Sequence, residues 1–173
     1  MAHKTFDNYP IWVVMIIIIL QLSLYVTGSF IMFKLHYITG ILYIIFVLFM
    51  ESTIYREGCR DCFYYGKRCA FGRGLLAPLF VKKGDGKAFR EKEVTFKDLI
   101  PQVLLSLIPV LVGIALLISR GFDALILIAL LYPVILWFGL NEIIYGKLSC
   151  PHCKQGKICC PAMEFFMKKR GKK

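Results

Sequence analysis

The stretch NYPIWVVMIIIILQLSLYVTGSFIMF, residues 8–33, contains no charged side chain. It is longer than the roughly 20 apolar residues that cross a hydrocarbon core of about 30 Å. Three further stretches, residues 35–50, 99–119 and 124–141, are equally free of lysine, arginine, aspartate and glutamate. The sequence therefore predicts an all-α integral membrane protein with four transmembrane helices, at about residues 10–33, 36–55, 99–119 and 123–145.

The composition agrees with this prediction. The chain is 58% hydrophobic with a mean hydropathy of +0.65, whereas roughly 45–50% of residues are apolar in soluble domains. The first stretch is also far longer than the roughly 7–15 apolar residues of a secretory signal, and no small-residue cleavage site follows it. We therefore expect the first stretch to be retained as a membrane span.

Basic residues predict the orientation of the chain. Twenty of the 22 lysines and arginines precede the first span, lie in the loop between the second and third spans, or follow the fourth. Only Lys34 and Arg120 lie in the two remaining turns. By the positive-inside rule, both termini and both cysteine clusters are cytoplasmic, in an inner or plasma membrane.

The net charge of +11 is best explained by the same membrane. Basic residues beside helix ends attract anionic lipid headgroups, at roughly 1 kcal/mol per residue near the surface. We therefore expect a bilayer with anionic headgroups as the partner of these residues, and we do not expect nucleic acid.

Two halves of the chain match each other at an offset of 91 residues. The identical residues in this ungapped register are Asp7 and Asp98, Pro10 and Pro101, Glu51 and Glu142, Cys59 and Cys150, Cys62 and Cys153, and Cys69 and Cys160. The match predicts two repeats, residues 1–91 and 92–173. Because each repeat has two helices, the repeats are parallel. Each would be a helical hairpin followed by a small cytoplasmic Cys-rich knuckle, the first at 56–91 and the second at 146–173.

The pattern Cys-x2-Cys-x6-Cys in each repeat is typical of metal binding. Two residues between cysteines allow a tight turn that brings both sulfurs onto one ion, about 2.3 Å from zinc. Structural zinc sites usually have four ligands. The sequence leaves two arrangements open. One is a shared site whose ligands are Cys59, Cys62, Cys150 and Cys153. In the other, each cysteine trio binds its own ion, and His152, Cys159 or the other half supplies the fourth ligand.

The seven cysteines have three other conceivable uses. Disulfides are disfavoured in the cytosol, except in hyperthermophiles. An iron–sulfur cluster is suggested by Cys160-Pro161, since ferredoxin-type motifs end in Cys-Pro, although the spacing x6 differs from theirs. A reactive thiol of lowered pKa beside basic residues, at Cys62, Cys69 or Cys159, explains the spacing less well than a metal does.

Two carboxylates recur eight residues before the first cysteine of each cluster. Glu51 and Glu142 lie near the predicted cytoplasmic helix ends, where a side chain can reach the headgroups. Carboxylates within membrane spans are also often functional. We therefore treat them as possible paired carboxylates that bind a cation or pair with the basic loop.

The leading hypothesis is a polytopic membrane protein whose metal-binding knuckles, with zinc as the cofactor, form a structural or docking surface. The alternatives are a membrane-anchored iron–sulfur redox protein and a metal-ion handling or transport protein. No hydrolase or kinase motif is present, so the sequence leaves open whether the protein is an enzyme. We expect so small a bundle to form a homodimer or to join a larger membrane complex.

Overall fold

The fold is that of a computed structural model, which describes residues 5–85, 96–136, 139 and 143–158. Helices dominate these ranges, and their only β-structure is an isolated parallel bridge between Phe6 and Cys153. The α-helices are α1, Ile11–Leu35; α2, Tyr37–Ile54; α3, Arg73–Phe80; α4, Phe96–Arg120; α5, Ala124–Ile135; and α6, Lys154–Ile158.

The described chain divides into two compact units. Of the described residues, the helical unit contains 20–52 and 96–136. The cysteine unit contains residues 5–19, 53–85, 139 and 143–158. Each unit is described separately below.

Three segments are long and apolar enough to cross a membrane: Ile11–Leu35, Tyr37–Cys59 and Val103–Arg120. They agree with three of the four predicted spans, and they indicate a membrane protein. The fourth predicted span is not confirmed, because α5 has 12 residues and most of residues 137–142 lie outside the described ranges. The parallel repeat of two hairpins is likewise not confirmed at the level of the whole fold.

The turns of the helical unit are short. A single residue, His36, separates α1 from α2. Between α4 and α5, Gly121 adopts a φ of 84°, a left-handed conformation that glycine tolerates best. Asp123 then caps α5, because its Oδ1 accepts a hydrogen bond from the Leu125 N–H at 2.9 Å. The Arg120 guanidinium donates to the Lys34 carbonyl oxygen at 2.9 Å, so the two turns lie side by side.

Apolar side chains from all four helices fill the interior of the helical unit. One cluster joins Ile31 of α1 to Leu116 of α4 and to Ile126 and Ala129 of α5. A second cluster joins Met32 of α1 to Tyr43 and Val47 of α2. Other large apolar residues point outward, such as Val26 at 68% exposure and Ile128 at 65%. These outward-facing side chains suit contact with lipid tails, because the hydrocarbon core of a bilayer is the apolar surrounding of a membrane span.

Pro109 leaves one backbone carbonyl of α4 without its usual donor. A proline has no N–H, so the Leu105 carbonyl four residues earlier loses its helical hydrogen bond. The hydroxyl group of Tyr43 donates to that oxygen at 2.9 Å. Gly28 makes room for this hydroxyl, since a Cβ atom at residue 28 would lie 2.4 Å from it. A freed carbonyl in a membrane helix must find such a partner.

We therefore predict that Tyr43→Phe lowers the free energy of unfolding by about 1–3 kcal/mol, the cost of a buried acceptor without a donor. The loss should shrink in a Pro109→Ala background, where residue 109 regains an N–H for the Leu105 carbonyl. A double-mutant cycle by thermal unfolding in mild detergent measures this coupling. Pro133→Ala is the matched control and should leave the Tyr43→Phe loss unchanged. Equal losses in all three backgrounds would contradict the assigned role of Tyr43.

Candidate metal centre

The cysteine unit contains both knuckles. The structure describes Cys59, Cys62, Cys69, Cys150 and Cys153, and no disulfide joins any two of these five. Two other predicted ligands, Cys159 and Cys160, lie outside the described residues, as does Glu142. The disulfide alternative therefore has no support among the cysteines that are described.

The two Cys-x2-Cys turns have the same local structure. A π-helical turn, Tyr55–Cys59, leads into the first pair, and the Cys62 N–H donates to the Cys59 carbonyl at 3.4 Å. A second π-helical turn, Ile144–Ser149, leads into the other pair, where the Cys153 N–H donates to the Cys150 carbonyl at 3.2 Å. The two cysteine pairs lie 91 residues apart, and in each pair the N–H of the second cysteine donates to the carbonyl of the first.

Three of the sulfur atoms accept backbone hydrogen bonds. The Gly74 N–H donates to Cys69 Sγ at 3.2 Å, and the Gly156 N–H donates to Cys153 Sγ at 3.3 Å. The third is Cys62, which accepts the N–H of Tyr64. Such donors favour the thiolate form, which is also the form that binds metal.

Cysteines of the two knuckles are neighbours. Burial raises the pKa of the Cys62 thiol to about 12, and the hydrogen bond from the Tyr64 N–H partly offsets this increase. The nearby thiols of Cys69, Cys59 and Cys153 raise it further. Cys153 belongs to the second knuckle, and the residues that follow Cys62 and Cys153 are hydrogen-bonded across the knuckles, from the Phe63 N–H to Gln155 Oε1 and from the Lys154 N–H to the Tyr64 hydroxyl group.

These thiols do not form a preassembled ligand set. Among the described residues, no three histidine, cysteine, aspartate or glutamate side chains are grouped closely enough to hold a metal ion. Ser149, directly before Cys150, is 3% exposed, and its Oγ has no hydrogen-bond partner there. An unpartnered buried hydroxyl costs free energy. Thiolates are ligands for soft metals such as zinc, but a common metal ion would require these thiols to move closer together.

The N-terminal segment, Phe6–Tyr9, joins the two knuckles. The Tyr9 N–H donates to the Arg68 carbonyl at 2.9 Å, in the first knuckle. The Tyr9 hydroxyl group donates to the Ser149 carbonyl at 2.6 Å, and the Phe6 N–H donates to the His152 carbonyl at 3.0 Å, both in the second. Tyr9 is 1% exposed, so these bonds are shielded from water.

Aromatic side chains surround this junction. The rings of Phe6 and His152 stack, with centroids 4.8 Å apart, so His152 is packed against the segment and is not simply a solvated loop residue. Tyr64 donates to the Phe6 carbonyl at 2.7 Å and accepts the Lys154 N–H at 3.0 Å. In addition, the Phe63 N–H donates to Gln155 Oε1 at 2.8 Å. The knuckles therefore contact each other directly as well as through the N-terminal segment.

Within the first knuckle, Gly74 holds helix α3 against the segment that precedes it. Besides its N–H bond to Cys69, Gly74 accepts a hydrogen bond from the Gly66 N–H at 2.9 Å. Its carbonyl oxygen is available because Pro78, four residues later, has no N–H. A Cβ atom at residue 74 would lie 2.3 Å from the Tyr64 carbonyl oxygen and 2.6 Å from that of Lys67. Only glycine fits this contact.

In the helical unit, Glu51 contacts two polar residues of α1. Gln21 Nε2 donates to Glu51 Oε1 at 2.9 Å, and the Tyr25 hydroxyl group donates to the same oxygen at 2.5 Å. Gln21 and Tyr25 also contact each other at 2.7 Å. The predicted pairing of Glu51 with Glu142 stays a prediction, because Glu142 is outside the described residues.

The sequence reasoning missed several of these residues. Gln21 and Tyr25 are polar residues one helical turn apart within an apolar stretch, which is a usable signal. Tyr9, Gly74 and Ser149 have no comparable signal, because their roles depend on contacts between distant parts of the chain.

We predict that Gly74→Ala lowers the free energy of unfolding by about 1–3 kcal/mol, as overpacking against rigid backbone does. It should also speed alkylation of Cys69, which loses its N–H donor when the chain shifts. Gly58→Ala is the matched control, since nothing lies within 4 Å of a Cβ atom there. Mass spectrometry after pulsed alkylation, with thermal unfolding in parallel, measures both effects. Similar behaviour of the two variants would contradict the packing argument.

We further predict that Tyr9→Phe speeds alkylation of Cys150 and Cys153 by roughly tenfold, because the buried Ser149 carbonyl loses its donor. Tyr65→Phe is the control: it removes a hydroxyl bond of 2.8 Å to the Val81 carbonyl, away from the second knuckle. If Tyr9→Phe leaves both rates at the wild-type value, the N-terminal segment does not hold the knuckles together.

Comparison of the chain with protein-family models, curated proteins and solved structures found no match.

Proposed function

We propose that the two knuckles bind one shared metal ion, zinc, and that the resulting centre is a structural or docking surface on the cytoplasmic side of the membrane. The cytoplasmic placement follows from the basic residues and the positive-inside rule. In this proposal the protein is a scaffold, and no catalytic residue is assigned.

One observation carries the proposal: the chain just after Cys62 is hydrogen-bonded to the chain just after Cys153, from the Phe63 N–H to Gln155 Oε1 at 2.8 Å and from the Lys154 N–H to the Tyr64 hydroxyl group at 3.0 Å. This favours the shared arrangement over two separate sites. Cys59, which forms the Cys-x2-Cys turn with Cys62, is a further candidate ligand. Cys69 or Cys150 would complete four sulfur ligands, the number that structural zinc sites usually have.

Binding of the ion would be coupled to local folding. The thiols are neighbours without being assembled, so ligation would draw the two knuckles onto the N-terminal segment. Zinc supplies folding free energy in small domains that cannot bury a large core. When bound, the ion neutralises the thiolates. Tyr9 and Tyr64 would keep water away from them, and the N–H groups of Gly74 and Gly156 would hold two sulfurs in place.

An iron–sulfur centre is the second candidate, in a membrane-anchored redox protein. The same N–H donors and buried tyrosine rings would suit such a centre, since hydrogen bonds to sulfur and exclusion of water tune its potential. Metal-ion handling or transport is a third candidate. It draws support from the polar group of Gln21, Tyr25 and Glu51, because intramembrane carboxylates often mark ion pathways.

Elemental analysis tests the proposal, on protein purified without oxygen or chelator and examined with a visible spectrum. We expect a colourless protein with one zinc ion per chain. Cys62→Ser and Cys153→Ser should each abolish zinc binding, because both belong to one site. Two ions per chain, with one lost in each variant, would favour separate sites. A brown protein with iron and labile sulfide would establish the redox alternative, and the absence of any metal would refute both.

A further inference from the structure

Helix α3 packs in the opposite way to a helix on the surface of a soluble domain. Its buried residues are the small ones, Gly74 and Ala77. Its large apolar residues point away from the cysteine unit. Their exposed fractions are 56% for Leu75, 45% for Leu76, 77% for Leu79 and 68% for Phe80. At 100° per residue these four lie on one face, within about 140° of arc. Such a concentrated apolar face indicates an interaction surface.

The position of α3 indicates what that surface contacts. The ring of Phe80 packs against the ring of Tyr55, with centroids 5.1 Å apart. Tyr55 lies four residues before the end of the candidate span Tyr37–Cys59, a rise of about 6 Å along the helix. Helix α3 therefore packs beside the end of this candidate span.

Charge on the flanks of α3 agrees with this placement. Residues 62–84 contain five basic residues and no aspartate or glutamate. Arg73 begins the helix, and Lys82 and Lys83 follow its end, both exposed. A helix with an apolar face and basic flanks binds at the surface of an anionic membrane.

We propose that α3 is an interfacial helix that inserts its apolar face into the bilayer carrying the spans, with Arg73, Lys82 and Lys83 on anionic lipid phosphates. Each basic residue near such a surface adds roughly a fivefold preference for the bound state. The proposal does not depend on a metal, because it uses only the exposed face and the flanking charges. The proposal places the Cys69 sulfur, which accepts a hydrogen bond from the Gly74 N–H, next to the membrane.

A single tryptophan on α3 reports its surroundings. The background is the full-length chain with Trp12→Phe and Trp137→Phe, in vesicles of phosphatidylcholine with and without phosphatidylglycerol. Phe80→Trp places the probe on the apolar face, and Leu79→Trp serves if the first variant does not fold. Lys67→Trp is the comparison, since Lys67 is exposed on the same knuckle but lies outside α3.

We expect the tryptophan of the Phe80→Trp variant to be quenched by lipids brominated at shallow acyl carbons. It should also be several-fold less accessible to acrylamide than the tryptophan of the Lys67→Trp variant. The shielding should strengthen with phosphatidylglycerol, and Lys82→Gln with Lys83→Gln should remove that dependence. A probe quenched freely by acrylamide and not by lipid would overturn the proposal. Shielding from both quenchers would also overturn it, since another protein chain would then cover the helix.

Discussion

The hydrogen bond from the Tyr9 hydroxyl group to the Ser149 carbonyl is the contact on which the cysteine unit depends. It joins residues 140 positions apart, and the N–H of the same tyrosine bonds to Arg68. Tyr9 lies two residues before α1 begins at Ile11. Tyr9 therefore links the start of α1 to both knuckles. The contacts between the knuckles include hydrogen bonds as well as packing.

A second constraint acts on the backbone of both units. Each buried carbonyl must accept a hydrogen bond, and a proline inside a helix removes one donor. In the helical unit the Tyr43 hydroxyl group donates to the Leu105 carbonyl oxygen, which Pro109 leaves without a donor. In the cysteine unit the Gly66 N–H donates to the Gly74 carbonyl oxygen, which Pro78 leaves without a donor. In both places, the proline turns a local helical hydrogen bond into a contact with another element, which fixes how the elements pack.

The sequence predicts the parts of this structure that depend on local composition. Charge-free stretches predict α1, α2 and α4 to within a few residues, since membrane spans are determined by length and apolarity. The spacing Cys-x2-Cys predicts a tight turn, and the second cysteine of each described pair does donate its N–H to the carbonyl of the first. The N-terminal segment was not predicted, because it has no periodicity and its partners are distant. Helix α3 was missed as well, because it has eight residues and contains a proline.

The hydrogen bonds to the sulfurs are consistent with a structural role for the proposed zinc ion. The backbone N–H groups of Tyr64, Gly74 and Gly156 direct positive dipoles at the thiols of three half-buried cysteines, Cys62, Cys69 and Cys153. Donors of that kind gain most when the sulfur carries a negative charge, yet several buried thiolates repel one another unless a cation lies between them. A single divalent ion would satisfy both demands at once. Because Tyr9 already links the two knuckles, binding of the ion would require only small movements of the knuckles.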